Sequence, residues 1–266
     1  MKNVYVITGA TGGMGVDLAR KLIYLGEVVL FDLDLDKLNQ LQKELGGNSF
    51  VCAGDITKRE DIKRLAEICK KRGGVLSVVH LAGVYANVKS AERVLDINLV
   101  GTASIMEEFY KIIGEKSVFI NTSSIAAYLY PYTKETSEIL KRPLDKDFMQ
   151  KILPFTKGES RIAYSLSKQG VILLTREWTK LFGEKNARVL AVSPGLIQTP
   201  MLDKVVEVTP DSAESLLNST PCHRVGRPED ITSLVLFLLS EKAGFINGTD
   251  ILIDGGVISA MGKQGG

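Results

Sequence analysis

Cysteine is scarce in this sequence: Cys52, Cys69 and Cys222 are odd in number and widely spaced along 266 residues. A disulfide framework is therefore excluded, a reducing compartment is expected, and each thiol reads as a small apolar side chain. Histidine is scarcer still. His80 and His223 stand far apart and far from any cysteine pair, so no His/Cys metal site is expected. Neither sign of charge dominates: 33 Lys and Arg face 31 Asp and Glu, interleaved, for a net +2, which offers nucleic acid no basic face. No apolar run is long enough to span a membrane, and the stretch Val4 to Ile7 after Met1-Lys-Asn is too short for a signal-peptide core. Linker-like composition, internal repeats and low-complexity runs are also lacking. These absences predict a cytoplasmic protein with no nucleic-acid or membrane partner.

With 45% hydrophobic and 24% charged residues, the chain suits one large α/β domain over 1–266. Val4 to Ile7 is a buried strand leading into Thr8-Gly-Ala-Thr-Gly-Gly-Met-Gly15, after which Val16, Leu18, Ala19, Leu22, Ile23 and Leu25 mark a helix face. Strand, glycine turn and helix form a diphosphate cradle, because glycine lets the backbone approach while the helix N-terminus supplies free N–H groups. A second strand, Glu27 to Phe31, ends at Asp32, within the ~20 residues expected for a carboxylate that accepts ribose hydroxyls. Asp32 would repel a 2′-phosphate, and the nearest cation after it is Lys37, so NAD is expected over NADP.

The alternation continues through helix Leu35 to Leu45, strand Ser49 to Cys52, helix Arg59 to Lys70, strand Leu76 to Leu81, helix Ser90 to Ile113 and strand Ser117 to Asn121. Helix Arg161 to Phe182, strand Arg188 to Val192, helix Ile231 to Leu239 and strand Thr249 to Ile253 complete it. Such order predicts a Rossmann-type doubly wound parallel sheet of about seven strands, helices on both faces, with ligands at the carboxyl ends of the strands. Asp55 at one such end either bonds an adenine amine or caps the following helix. Residues 202–226 lack periodicity and read as a lid or binding loop.

Tyr164 and Lys168 are four apart in a helical run and share one face. A phenol of pKa near ~10 becomes a usable acid/base when an ammonium beside it favours the phenolate.

The chain resembles the short-chain dehydrogenase/reductase superfamily. The residues that carry the likeness are Thr8-Gly9 with Gly13 and Gly15, Asp32, Asp55-Ile56, Ala82-Gly83, Asn98, Ser124, Tyr164 with Lys168, Pro194-Gly195 with Thr199-Pro-Met201, Arg227-Pro-Glu-Asp230 and Asp254-Gly-Gly256. The resemblance implies an NAD-dependent enzyme interconverting a secondary alcohol and a ketone. In it Tyr164 exchanges the carbinol proton, Lys168 binds the nicotinamide ribose and lowers the phenol pKa, Ser124 bonds the carbonyl oxygen, and Asn98 holds a water linking Lys168 to solvent. Ser124 rather than Ser123 fits the family pattern, falling three residues after Asn121. The cofactor contacts implied are Thr8, Gly9, Gly13, Met14, Gly15, Asp32, Asp55, Ile56, Ala82, Gly83, Tyr164, Lys168, Pro194, Gly195, Ile197 and Thr199, with no metal. The resemblance also implies a homo-oligomer.

Three departures stand out. His80-Leu-Ala-Gly83 replaces the family's Asn-Asn-Ala-Gly. The turn glycines satisfy both the ordinary spacing and that of the extended subgroup. Between Ser124 and Tyr164 lie 39 residues, far more than the family has, with an aromatic and charged insertion over about 129–160. Thr136 to Leu140 and Asp147 to Leu153 within it read as short helices. The insertion is either a surface excursion or a cover over the family's dimerisation helices that also roofs an apolar pocket. Similar features in the 3α-hydroxysteroid dehydrogenase/carbonyl reductase group favour a bulky substrate such as a hydroxysteroid. The rivals are a 3-oxoacyl thioester reductase and, from another class, a non-catalytic dinucleotide sensor.

Overall fold

The computed structural model describes residues 3–86, 90–208 and 210–262. Its centre is a seven-stranded, wholly parallel sheet in the order β3-β2-β1-β4-β5-β6-β7. The strands are β1 (Val4–Thr8), β2 (Glu27–Asp32), β3 (Ser49–Ala53), β4 (Val75–His80), β5 (Ile113–Thr122), β6 (Arg188–Pro194) and β7 (Asp250–Ile253). Successive residues of β1 and β2 enter opposite cores. Val4, Val6, Val29 and Phe31 face one, and Tyr5, Ile7, Val28 and Leu30 the other. Burial on both faces is why these strands read as solid apolar runs. Strand order reverses between β1 and β4, and that switch point opens a crevice at the carboxyl ends.

On one face lie α1 (Gly13–Leu22), α2 (Leu35–Leu45) and, later in the chain, the helix of Pro228–Leu239. Local chemistry sets their ends. Asp34 caps α2 by accepting from the Lys37 N–H at 3.0 Å, and Gly46, at φ +84°, stops it. The other face carries α3 (Arg59–Lys71), with acids in its first turn and lysines in its last, as the helix dipole favours. It continues with α4 (Ala91–Leu95), a π-turn at Asp96–Val100 and α5 (Gly101–Tyr110). The expected single helix from Ser90 to Ile113 is thus corrected. Ser90 caps it, Asn98 sits in a π-turn, and Ile113 opens β5 opposite Val75.

Next come α6 (Ala126–Leu129), α7 (Lys134–Leu140), α8 (Phe148–Ile152) with a 3₁₀ turn at Leu153–Thr156, and the long α9 (Ser160–Glu184). Both short helices expected in the insertion are present. They drive Leu140, Phe148 and Ile152, each at most 2% exposed, into the core that holds the Tyr164 helix. The segment is thereby a surface layer anchored to the core through these side chains, with most of its charged residues exposed.

A second correction concerns 202–226. Instead of a loop, α10 (Pro200–Val208) and α11 (Pro210–Asn218) form a helical pair. Proline opens each helix, where its missing N–H costs nothing. Their short, mixed sequences hide the period. The chain closes with α12 (Pro228–Leu239) and α13 (Val257–Ala260). Among the described residues no helix is long and apolar enough to cross a membrane, and no three His, Cys, Asp or Glu side chains converge as a metal site.

Candidate active site

The glycine turn after β1 is shaped by close approach. Gly9 has φ +69°, and a Cβ there would sit 2.8 Å from the Ala82 nitrogen, so only glycine fits. Gly15 packs behind it, while a Cβ on Gly13 would meet the Thr199 methyl at 2.7 Å. Thr8 is buried at the end of β1, where its carbonyl receives the Leu81 N–H at 3.1 Å and its hydroxyl the Ala82 N–H at 3.3 Å. Turn and β4 end therefore hold each other. Asp32 closes the turn from the second strand. One of its oxygens accepts both the N–H (2.9 Å) and the hydroxyl (2.7 Å) of Thr11, and the other accepts the Leu33 N–H at 2.7 Å.

The aspartate at the end of β3 is occupied internally. Asp55 accepts the Thr57 N–H (2.9 Å) and hydroxyl (2.8 Å) and leans on Arg93 at 3.4 Å. Burial raises its pKa, but the Thr57 bonds and Arg93 outweigh that and leave it lowered. Ile56 is 6% exposed and packs against Gly101. Of the two roles open to Asp55, the structure displays the local turn.

Four side chains converge at the ends of β4 and β5. Asn98, in the π-turn, is 1% exposed and clamps Val84 like a strand partner: its Oδ1 accepts the Val84 N–H (2.8 Å) and its Nδ2 donates to the Val84 carbonyl (2.9 Å). A Cβ on Gly83 would lie 3.1 Å from Asn98 Oδ1 and 3.6 Å from Lys168 Nζ, so the glycine keeps this approach open. Lys168 Nζ donates to the Thr122 carbonyl at 2.8 Å. Ser123 is 2% exposed and spends its hydroxyl on the Lys168 carbonyl at 2.8 Å, whereas Ser124 faces the cavity and bonds Tyr164. Two adjoining serines thus have separate surroundings.

The electrostatics correct one expectation. Burial pushes the Tyr164 phenol up to about 12, with the Ser124 hydrogen bond pulling the other way, and pushes Lys168 down to about 8. Lys168 Nζ lies 5.8 Å from the phenol ring centroid. In the protein alone, desolvation outweighs the Ser124 bond, and the phenol holds its proton. A ligand bringing positive charge into the crevice would reverse that balance.

Above Ser124 and Tyr164 lies a cavity of about 170 Å³. Pro194, Gly195, Ile197, Thr199 and Met14 line it on the side of the glycine turn; Leu202, Val205 and Leu216 of α10 and α11 cover it. Gly195 lies tight on Asp254, and Thr199 donates to the Ile197 carbonyl at 3.2 Å. From the insertion only Leu129 reaches the cavity. The apolar roof expected of 129–160 is instead the α10–α11 pair. Tyr85, unnoticed in the sequence, stacks edge-on against Tyr164 at 5.1 Å, and Thr11 was likewise missed. Proximity to Gly83 and to the turn was the only available signal for them.

The cradle fits a dinucleotide on its own geometry: glycines where a Cβ would collide, an acid at the second strand end, and a lysine and phenol at the far end of the same crevice.

Comparison with known proteins agrees. The family described as "short chain dehydrogenase" matches residues 3–136, and one described as "Enoyl-(Acyl carrier protein) reductase" matches 154–258. The chain is 29% identical to a 3-oxoacyl-[acyl-carrier-protein] reductase of Thermotoga maritima, over 96% of this chain and 97% of that one. It is 27% identical to the 7alpha-hydroxysteroid dehydrogenase of Escherichia coli, over 96% and 94%. A crystal structure described as a short-chain dehydrogenase/reductase, glucose/ribitol dehydrogenase, from Brucella melitensis superposes with a TM-score of 0.78 at 27% identity, covering 96% of each chain. The protein belongs to the short-chain dehydrogenase/reductase superfamily and is an oxidoreductase that uses a nicotinamide dinucleotide.

Proposed function

We propose that this oxidoreductase is NAD-linked and interconverts a secondary alcohol and a ketone on a bulky hydrophobic substrate such as a hydroxysteroid. The observation that carries the reading is the shared cavity. Ser124 and the Tyr164 phenol sit at its base, apolar side chains close it above, and the glycine cradle opens at its side. The cofactor, when bound, supplies or accepts the hydride. Tyr164 gives or takes the carbinol proton, and Ser124 holds the carbonyl oxygen where negative charge grows. Lys168 grips the nicotinamide ribose, and Asn98 keeps the π-turn against Val84.

Asp32 supports NAD. Thr11 and Leu33 take three of its roughly four acceptor positions, leaving one for a ribose hydroxyl and none that would welcome a phosphate. Lys37 is paired with Asp34 at 3.1 Å. A cytoplasmic setting is supported by the three free cysteines, and self-association by the exposed Phe237 and Phe245. The likeness to a 3-oxoacyl reductase favours a second reading, a thioester-linked ketone as substrate. Assaying steroids, cyclic ketones and 3-oxoacyl thioesters with NADH and NADPH tests both. Higher kcat/KM with NADPH contradicts the cofactor assignment, and turnover of thioesters alone contradicts the steroid class.

A further inference from the structure

His80 ends β4, 2% exposed and held between two threonines. Its Nδ1 lies 2.7 Å from the Thr8 hydroxyl, and its Nε2 lies 3.0 Å from the Thr102 hydroxyl. The proton placement follows by elimination. The Asn98 carbonyl can only accept, so the 2.6 Å bond from Thr102 uses that hydroxyl's one proton. Thr102 must then accept from His80, and Nε2 carries hydrogen. Burial first, and the Lys168 charge second, push the imidazole down to about 3, so the ring is neutral and Nδ1 accepts from Thr8. Thr8 in turn accepts from the Ala82 N–H at 3.3 Å. An unbroken, one-directional chain results: Ala82 to Thr8 to His80 to Thr102 to Asn98.

We propose that His80 is a positioning residue: a neutral imidazole, protonated on Nε2, that locks the Thr102 hydroxyl onto Asn98 and ties the nucleotide turn to the π-turn facing Lys168. A helical threonine can bond the carbonyl four residues back by itself. What His80 adds is an anchor outside the helix, on the strand next to the cofactor turn. The inference rests on the function proposed above.

The sequence has only two histidines, so ring ¹⁵N spectra separate them cleanly. One ring is expected to stay neutral with hydrogen on Nε2 from about pH 5 to about pH 9. Thr102→Val cuts the chain at the end far from the nucleotide. It is expected to lower kcat about tenfold while leaving the dinucleotide Kd within about twofold, a split that mere loss of stability would not give. His80→Leu should act similarly, the double variant should lose no more than the worse single one, and His80→Gln, which still reaches Thr102, should recover most of the rate. If His80→Leu does not fold, Thr102→Val carries the comparison. A buried ring that titrates in that range or carries hydrogen on Nδ1, or Thr102→Val with wild-type kcat, overturns the proposal. A wild-type chain that binds dinucleotide yet reduces none of the ketones overturns the function instead, and the ring spectra still judge His80.

Discussion

Thr11 delivers both its backbone N–H and its hydroxyl to a single oxygen of Asp32, at 2.9 and 2.7 Å. This pair of bonds between the turn and the second strand orients the carboxylate proposed to accept the adenosine ribose hydroxyls. Asp32→Ala should lower kcat/KM for NAD by about 10–100-fold, the loss of one charge-assisted bond, and narrow the NAD/NADP preference. Thr11→Val should weaken NAD binding less, by about tenfold or under. Steady-state kinetics with both cofactors measures each; unchanged preference in Asp32→Ala would remove Asp32 from the account.

Ser123 and Ser124 should separate cleanly. Ser124→Ala is expected to lower kcat about 10²–10³-fold with an unchanged melting temperature, as for a donor to a developing oxyanion. Ser123→Ala loses a buried bond to the Lys168 carbonyl and should cost about 1 kcal/mol of stability with a far smaller kinetic effect. Reversal of this pattern would mean the wrong serine faces the substrate.

Lys168 is held at about 8 by burial, against 10.5 in the unfolded chain. Between those values the unfolded chain still binds a proton that the folded chain has released. Stability contributed by this group therefore rises as pH climbs from about 8 to about 10.5, and the full penalty of burying the charge is present below about 8. The shift corresponds to about 3 kcal/mol at neutral pH. Lys168→Met should raise the melting temperature at pH 7 and gain less at pH 10, while abolishing activity. An equal gain at both pH values would contradict the charged, buried lysine.

Cavity shape should be set by α10 and α11 and not by the insertion. Leu216→Trp is expected to depress kcat/KM for steroids at least about tenfold and to spare small cyclic ketones, since overpacking a filled pocket costs about 1–3 kcal/mol. Phe148→Ala, deep in the core under α9, should instead cost about 3–5 kcal/mol of stability and leave substrate preference intact. Thermal denaturation and a substrate panel distinguish the two.

Strands and the glycine turn were legible because both-face burial writes solid apolar runs and because Gly9 answers a local steric demand. Tyr164 and Lys168 were legible from helical spacing. The α10–α11 pair was not, since two nine-residue helices carry too few periods to stand out from polar loop sequence. The phenol's environment was also hidden: a spacing of four puts an amine on the same helix face, but only the fold reveals that both groups are buried, which favours the neutral phenol. His80 looked like a lost polar contact, whereas its two threonine partners, 72 residues before and 22 after, appear only once β1, β4 and α5 are packed.

The Tyr164 phenol is proposed to transfer the substrate proton beside a bound dinucleotide. Hydride transfer by Tyr164→Phe, measured beside its NAD binding, tests it most directly. A fall in kcat of about 10³-fold or more is expected, with Kd for NAD within about threefold of wild type. Turnover within about tenfold of wild type would contradict it.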